Sequence, residues 1–133
     1  MTVDTSALIA VLFAEPGYLD LVDAMLEADT LRVGAPTLVE TSLVATSRQR
    51  RTPRRVSDSL VTGLVTELGA TVVPFGEAEW RRAAEAFVRY GRGRHKASLN
   101  FGDCLAYATA AVAGDSLLFV GDDFRHTDLP VAH

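Results

Sequence analysis

A chain of 133 residues with 48% hydrophobic and 23% charged residues and a mean hydropathy of +0.16 suits one compact domain with a buried core, which excludes a mostly disordered protein. With 10 Gly and 5 Pro, low-complexity and collagen-like readings fail, and the one cysteine, Cys104, excludes an internal disulfide or a zinc site built mainly from thiolates. The net charge of −4 argues against a general nucleic-acid coat protein.

In chain order, Thr2–Asp4 is a strand stub and Thr5-Ser6 offers a helix cap. Ala7 to Ala14 reads helical until Glu15-Pro16-Gly17 stops it. Leu8–Ala14 is apolar, but Asp4 precedes it and no basic residue does, so a secretory leader is not expected. Tyr18–Ala28 carries a helical apolar stripe (Leu19, Leu21, Val22, Met25, Leu26). Leu31–Gly34 is a strand. Pro36 fits the first turn of the next helix, where a missing N–H costs nothing; this helix ends in an arginine run. Val56–Leu68 repeats apolar residues at four-residue steps and closes on Gly69, and Ala70–Pro74 is a strand.

Glu77–Tyr90 is a helix whose large apolar residues, Trp80, Phe87 and Val88, are expected to face inward with Ala84. Gly91–Leu99 is a basic loop, Asp103–Ala113 an alanine-rich helix opened by Gly102, and Leu117–Val120 a strand running into Gly121-Asp122-Asp123. Val131 begins a last short strand. No apolar run nears the ~20 residues needed to span a bilayer, so a soluble, cytoplasmic protein is expected, in a reducing compartment. No repeat or linker divides residues 1–133. Alternating strands and helices predict an α/β domain with a mostly parallel sheet, whose ligand site lies beyond the carboxyl ends of the strands.

Four acids fall at such ends: Asp4 after the first strand, Glu40 early in the helix after Pro36, Asp103 at the head of the alanine-rich helix, and Asp122, with Asp123 beside it, after the fourth strand. Singly, each has an ordinary role as a helix cap, a turn residue or a solvated acid. Together in one cleft they would repel unless a cation sat among them, and oxygen ligands suit a hard ion such as Mg²⁺ or Mn²⁺. Such an ion can activate water and neutralise a phosphodiester. Arg48, Arg50, Arg51, Arg54 and Arg55, with Arg89, Arg92, Arg94 and Lys96, hold nine of the thirteen permanent cations. Arginine suits phosphate contact; by the ordinary reading these runs are a solvated helix end and a solvated loop. Cys104 is expected to be packed rather than reactive.

The segments Val3-Asp4-Thr5-Ser6-Ala7-Leu8, Pro36-Thr37-Leu38-Val39-Glu40, Phe101-Gly102-Asp103-Cys104-Leu105-Ala106-Tyr107-Ala108, and Val120-Gly121-Asp122-Asp123-Phe124 with Thr127-Asp128-Leu129 resemble a PIN domain. More narrowly, they resemble the VapC toxins of VapBC toxin–antitoxin systems. The resemblance implies a three-layer PIN fold, Mg²⁺- or Mn²⁺-dependent endoribonuclease activity, a homodimer and a VapB-type antitoxin partner. By position it implies catalytic roles for Asp4, Glu40, Asp103 and Asp122. Asp4, Asp103 and Asp122 would be metal ligands, and Thr5 and Ser6 would border the metal. Arg94 and Lys96 are the cations expected to meet RNA phosphates. Water activated by the ion would attack phosphorus in line, leaving a 3′-hydroxyl and a 5′-phosphate. The competing readings are another Mg²⁺-dependent phosphodiesterase or phosphatase, and a non-catalytic module whose acids recruit a partner's arginines.

Overall fold

The computed structural model describes residues 1–51 and 53–132. His133 and the side chain of Arg54, a member of the first arginine cluster, lie outside the described residues. The strands are β1 (Thr2–Val3), β2 (Arg32–Gly34), β3 (Thr71–Val73), β4 (Leu117–Leu118) and β5 (Val131–Ala132). All their pairings are parallel and their order is β3-β2-β1-β4-β5. The chain therefore builds outward from β1 to one edge, then crosses to β4 on the other side. The carboxyl end of β1 is the switch point where a doubly wound sheet opens a crevice, and the residue leaving β1 there is Asp4.

Among the described residues six α-helices cover the sheet: α1 (Thr5–Leu12), α2 (Tyr18–Glu27), α3 (Ala35–Arg48), α4 (Arg54–Glu67), α5 (Glu77–Tyr90) and α6 (Phe101–Ala113). Their ends follow local chemistry. Asp4, not Thr5 or Ser6, caps α1, because its carboxylate accepts the Ser6 N–H. Pro36 stands in the first turn of α3. Asn100 and Asp103 form a reciprocal capping box on α6, so that helix begins two residues before Asp103. It ends on Gly114, which takes the left-handed conformation at φ 68°.

The buried core lies on both sides of the sheet. One cluster joins Val3, Leu8, Met25, Val33 and Leu118, and another joins Tyr90, Leu99, Tyr107, Leu117 and Phe124. Burial of a Leu such as Leu8, 1% exposed, contributes about 2 kcal/mol. The helix α5 differs from the expectation. Its buried residues are Ala83, Ala86 and Tyr90, while Trp80, Phe87 and Val88 are 57%, 43% and 65% exposed and Ala84 is exposed. Small side chains let α5 lie close against the alanine-rich α6, and that contact turns the large apolar residues outward.

The basic loop is tied down rather than loose. Arg92 N–H donates to the Leu99 carbonyl and Leu99 N–H to the Tyr90 carbonyl, at 3.0 Å each. Ala97 N–H donates to His95 Nδ1 at 3.1 Å. No helix among the described residues is long and apolar enough to cross a membrane.

Candidate active site

Asp4 is 4% exposed. Its Oδ2 accepts the Ser6 N–H at 3.0 Å and the Ser6 hydroxyl at 2.6 Å. Ser6 Oγ in turn accepts the Val120 N–H at 2.9 Å, so a residue just beyond β4 fixes which way the Ser6 proton points. Burial raises the Asp4 carboxyl above its ordinary value; the Ser6 bonds oppose this and the nearby Glu40 charge adds to it.

Glu40 enters from α3. Thr5 Oγ1 donates to Glu40 Oε2 at 2.6 Å, with a longer contact of 3.4 Å to the Thr37 carbonyl. Asp103 enters from the first turn of α6, where its Oδ2 accepts the Asn100 N–H at 2.9 Å. Burial pushes the Asp103 carboxyl up to about 6; the Asn100 bond resists, and the charges of Asp4, Asp123 and Glu40 push the same way as burial. Residues 4, 40, 103 and 123, remote in sequence, thus act on one another electrostatically at the switch point.

The two adjacent acids after β4 differ in their surroundings. Asp122 is exposed and faces Arg125 Nε at 3.4 Å, while Asp123 is the neighbour that bears on Asp103. Thr5 and Ser6 do border the acids, but both hydroxyls are committed to carboxylates. Arg94 lies on the basic loop with its guanidinium 5.3 Å from the Phe87 ring centre, and Lys96 is exposed. In the first cluster Arg48 pairs with Glu15 and lies over the Phe13 ring, so it braces α3 against the turn after α1. Cys104 is 3% exposed, and burial, then the Asp103 charge, pushes its thiol up to about 11. It stays protonated near neutrality and is packed, not nucleophilic.

Asn100 lies outside the quoted motifs, and Asp128, inside one of them, is given no role there. Asn100 supplies both halves of the bond exchange that orients Asp103; the Asn-x-x-Asp spacing of a capping box was its visible signal. Asp128 accepts the Tyr107 hydroxyl at 2.6 Å and Arg89 at 3.1 Å, which pins the segment after β4 to α5 and α6.

The donor set fits a hard cation. It consists of carboxylate oxygens, two of them held at a cost in burial that a cation would relieve. Among the described residues no three acidic, histidine or cysteine side chains are gathered closely enough to hold an ion alone.

A parallel sheet of order β3-β2-β1-β4-β5, with acidic residues at the carboxyl ends of its strands and the starts of the flanking helices, defines a doubly wound class of α/β domain. Within that class the chain belongs to the PIN-domain family, whose pattern matches residues 1–129. VapC ribonuclease Mb2004c of Mycobacterium bovis and ribonuclease VapC36 of Mycobacterium tuberculosis are each 42% identical to it over 130 residues, covering 97% of this chain and 91% of theirs. Ribonuclease VapC42 of Mycobacterium tuberculosis is 41% identical over 130 residues, 97% of this chain and 96% of its own. Among solved structures, VapBC2 from Rickettsia felis bound to a DNA fragment from their promoter matches with a TM-score of 0.76, over 98% of this chain and 96% of that one. At 12% identity that likeness is one of fold.

Proposed function

We propose that this protein is the toxin of a VapBC-type pair, a Mg²⁺- or Mn²⁺-dependent endoribonuclease. The observation that carries the reading is the seating of Glu40 against both α1, through Thr5 at 2.6 Å, and the first turn of α6 at Gly102, the two helices that begin at Asp4 and carry Asp103. Its relatives, named VapC ribonucleases over nearly the whole chain, support the same reading. Asp4 and Asp103 hold the ion, and Asp123 takes the place that the motif suggested for Asp122. Ser6 fixes the rotamer of Asp4, and Thr5 holds Glu40 beside it. A bound ion would supply neutralisation of the phosphodiester and activation of water, giving a 3′-hydroxyl and a 5′-phosphate. Arg94 and Lys96 hold the RNA backbone from the side, through contacts that do not read sequence.

A second copy of the chain covers the aromatic face left open on α5 and α6. There a groove of about 360 Å³ is lined by Phe75, Trp80, Phe87, Phe101 and Leu105, and Phe101 is 79% exposed. Contiguous apolar surface with aromatic anchors is what a protein–protein interface requires. A VapB-type antitoxin has separate apolar ground on α2, where Leu19 and Leu26 are 60% and 66% exposed and, seven residues apart, share one face.

The test is cleavage of single-stranded RNA, single-stranded DNA and a phosphomonoester by wild-type and Asp4→Asn protein, with Mg²⁺, Mn²⁺ or EDTA. RNA should be cut by the wild type only, and only with metal. Asp4→Asn protein cutting at the wild-type rate refutes the site. Preferential DNA or phosphomonoester hydrolysis refutes the substrate, and no activity together with no Mn²⁺ binding favours a binding module.

A further inference from the structure

We propose that Gly102 is a positioning residue acting through Glu40: the side chain it lacks is the space that the Glu40 carboxylate fills. A Cβ at residue 102 would lie 2.3 Å from Glu40 Oε1, 2.6 Å from Oε2 and 2.7 Å from Cδ. Carbon and oxygen do not approach that closely without a bond, so no larger residue coexists with Glu40 where it stands.

Backbone conformation does not explain this glycine. The glycines with positive φ are residues 17, 69, 93, 114 and 121; Gly102 lies inside α6, where alanine favours the helix more. The sequence therefore carries a helix-weakening residue at the one place where the Glu40 carboxylate presses on α6. Thr5 Oγ1 donates to the same carboxylate, at 2.6 Å from Oε2. Glu40 thus meets both the hydroxyl of α1 and the bare first turn of α6. That turn is the positive end of the helix dipole, which favours an anion beside it. Asp103, one residue further on, feels the Glu40 charge.

The clash is with the far end of a flexible side chain and not with backbone. Gly102→Ala should therefore fold normally and push the Glu40 carboxylate away from the acid cluster. Loss of a group that orients or supplements metal ligands commonly weakens metal binding by about 10-fold or more.

The inference rests on the metal-site reading above, and the experiment separates the two. Mn²⁺ affinity is measured by calorimetry for wild type, Gly102→Ala, Glu40→Ala and the double variant, with thermal melts of each in EDTA. Gly102→Ala should bind Mn²⁺ about 10-fold more weakly while melting no lower than wild type. The double variant should bind like Glu40→Ala alone, because with Glu40 gone a Cβ at residue 102 displaces nothing. Wild-type affinity in Gly102→Ala overturns the inference while leaving the site intact. So does a double variant weaker than Glu40→Ala, or a fall in melting temperature that Glu40→Ala does not rescue. A wild-type protein that binds no Mn²⁺ removes the site and the inference together.

Discussion

Asp103→Asn should make the metal-free protein more stable near neutral pH, although it removes a proposed metal ligand. The carboxyl titrates from 3.8 in a free chain to about 6 in the fold, so the folded protein binds more protons between those values. Stability therefore falls as pH rises from about 4 to about 6, and the full penalty is present above that window. At ~1.4 kcal/mol per pKa unit the span corresponds to about 3 kcal/mol. Asp103 is only partly buried, and solvent screening reduces this to about 1.5 kcal/mol.

Asparagine keeps an oxygen that can accept the Asn100 N–H, so the cap survives. For 133 residues the unfolding entropy is on the order of 0.28 kcal/mol/K, and the gain is about 5 °C in Tm. The assay is a pair of thermal melts in EDTA at pH 7.5 and pH 4, repeated at pH 7.5 with Mn²⁺. The variant should melt higher at pH 7.5 and equally at pH 4, and only the wild type should gain from Mn²⁺. A variant that melts lower at pH 7.5 without metal, or gains equally at both pH values, refutes the argument that burial and like charge set the state of this acid.

Asp115→Ala should destabilise by about 2–3 kcal/mol, read by urea unfolding. The carboxylate accepts the hydroxyl of fully buried Thr2 at 2.8 Å and Arg32 at 2.9 and 3.0 Å, and lies 3.5 Å from the N-terminal ammonium. Burial pushes this acid up, but Thr2, Arg32 and the ammonium together bring it below its ordinary 3.8. Its contribution is thus present above pH 3.8 and lost as pH falls through the lowered value, where the two proteins should converge. Gly34→Ala should cost about 1–3 kcal/mol, because its Cβ would stand 2.7 Å from Thr109 Oγ1; chemical denaturation should show Thr109→Ala restoring part of the loss. Neutralising Arg94 and Lys96 together should flatten the salt dependence of RNA binding in EDTA, by about 1.4 in the slope of log K against log salt; an unchanged slope excludes both as phosphate contacts. Trp80→Glu should shift the chain to monomer in sedimentation if the aromatic face pairs two copies.

The helices were legible because their apolar periodicity exceeds a turn, and Glu77–Tyr90 matches its expected bounds. The strands have only two or three residues, too few for alternation, and short β-branched runs such as Thr71-Val72-Val73 are their one local signal. What the sequence hid on α5 was direction. Hydrophobicity ranks Trp80, Phe87 and Val88 as core, yet close approach to α6 selects Ala83 and Ala86. A surface intended for a partner and a surface intended for the core have the same composition, and only the packing of the neighbouring helix separates them.

The acids pose the same difficulty in another form. Asp4 and Asp103 were open to two readings, helix cap or metal ligand, and the fold realises the capping geometry of both. The two readings are not rivals. A carboxylate that accepts N–H groups at a helix start is held in one rotamer before any cation arrives, and rigidity of that kind is what a metal ligand needs. The choice between Asp122 and Asp123 had no such local solution. Gly121 takes φ 109°; after it the Asp122 carboxylate faces Arg125 and Asp123 bears on Asp103. Two adjacent identical side chains thus meet different surroundings, a difference that the sequence of the pair does not reveal.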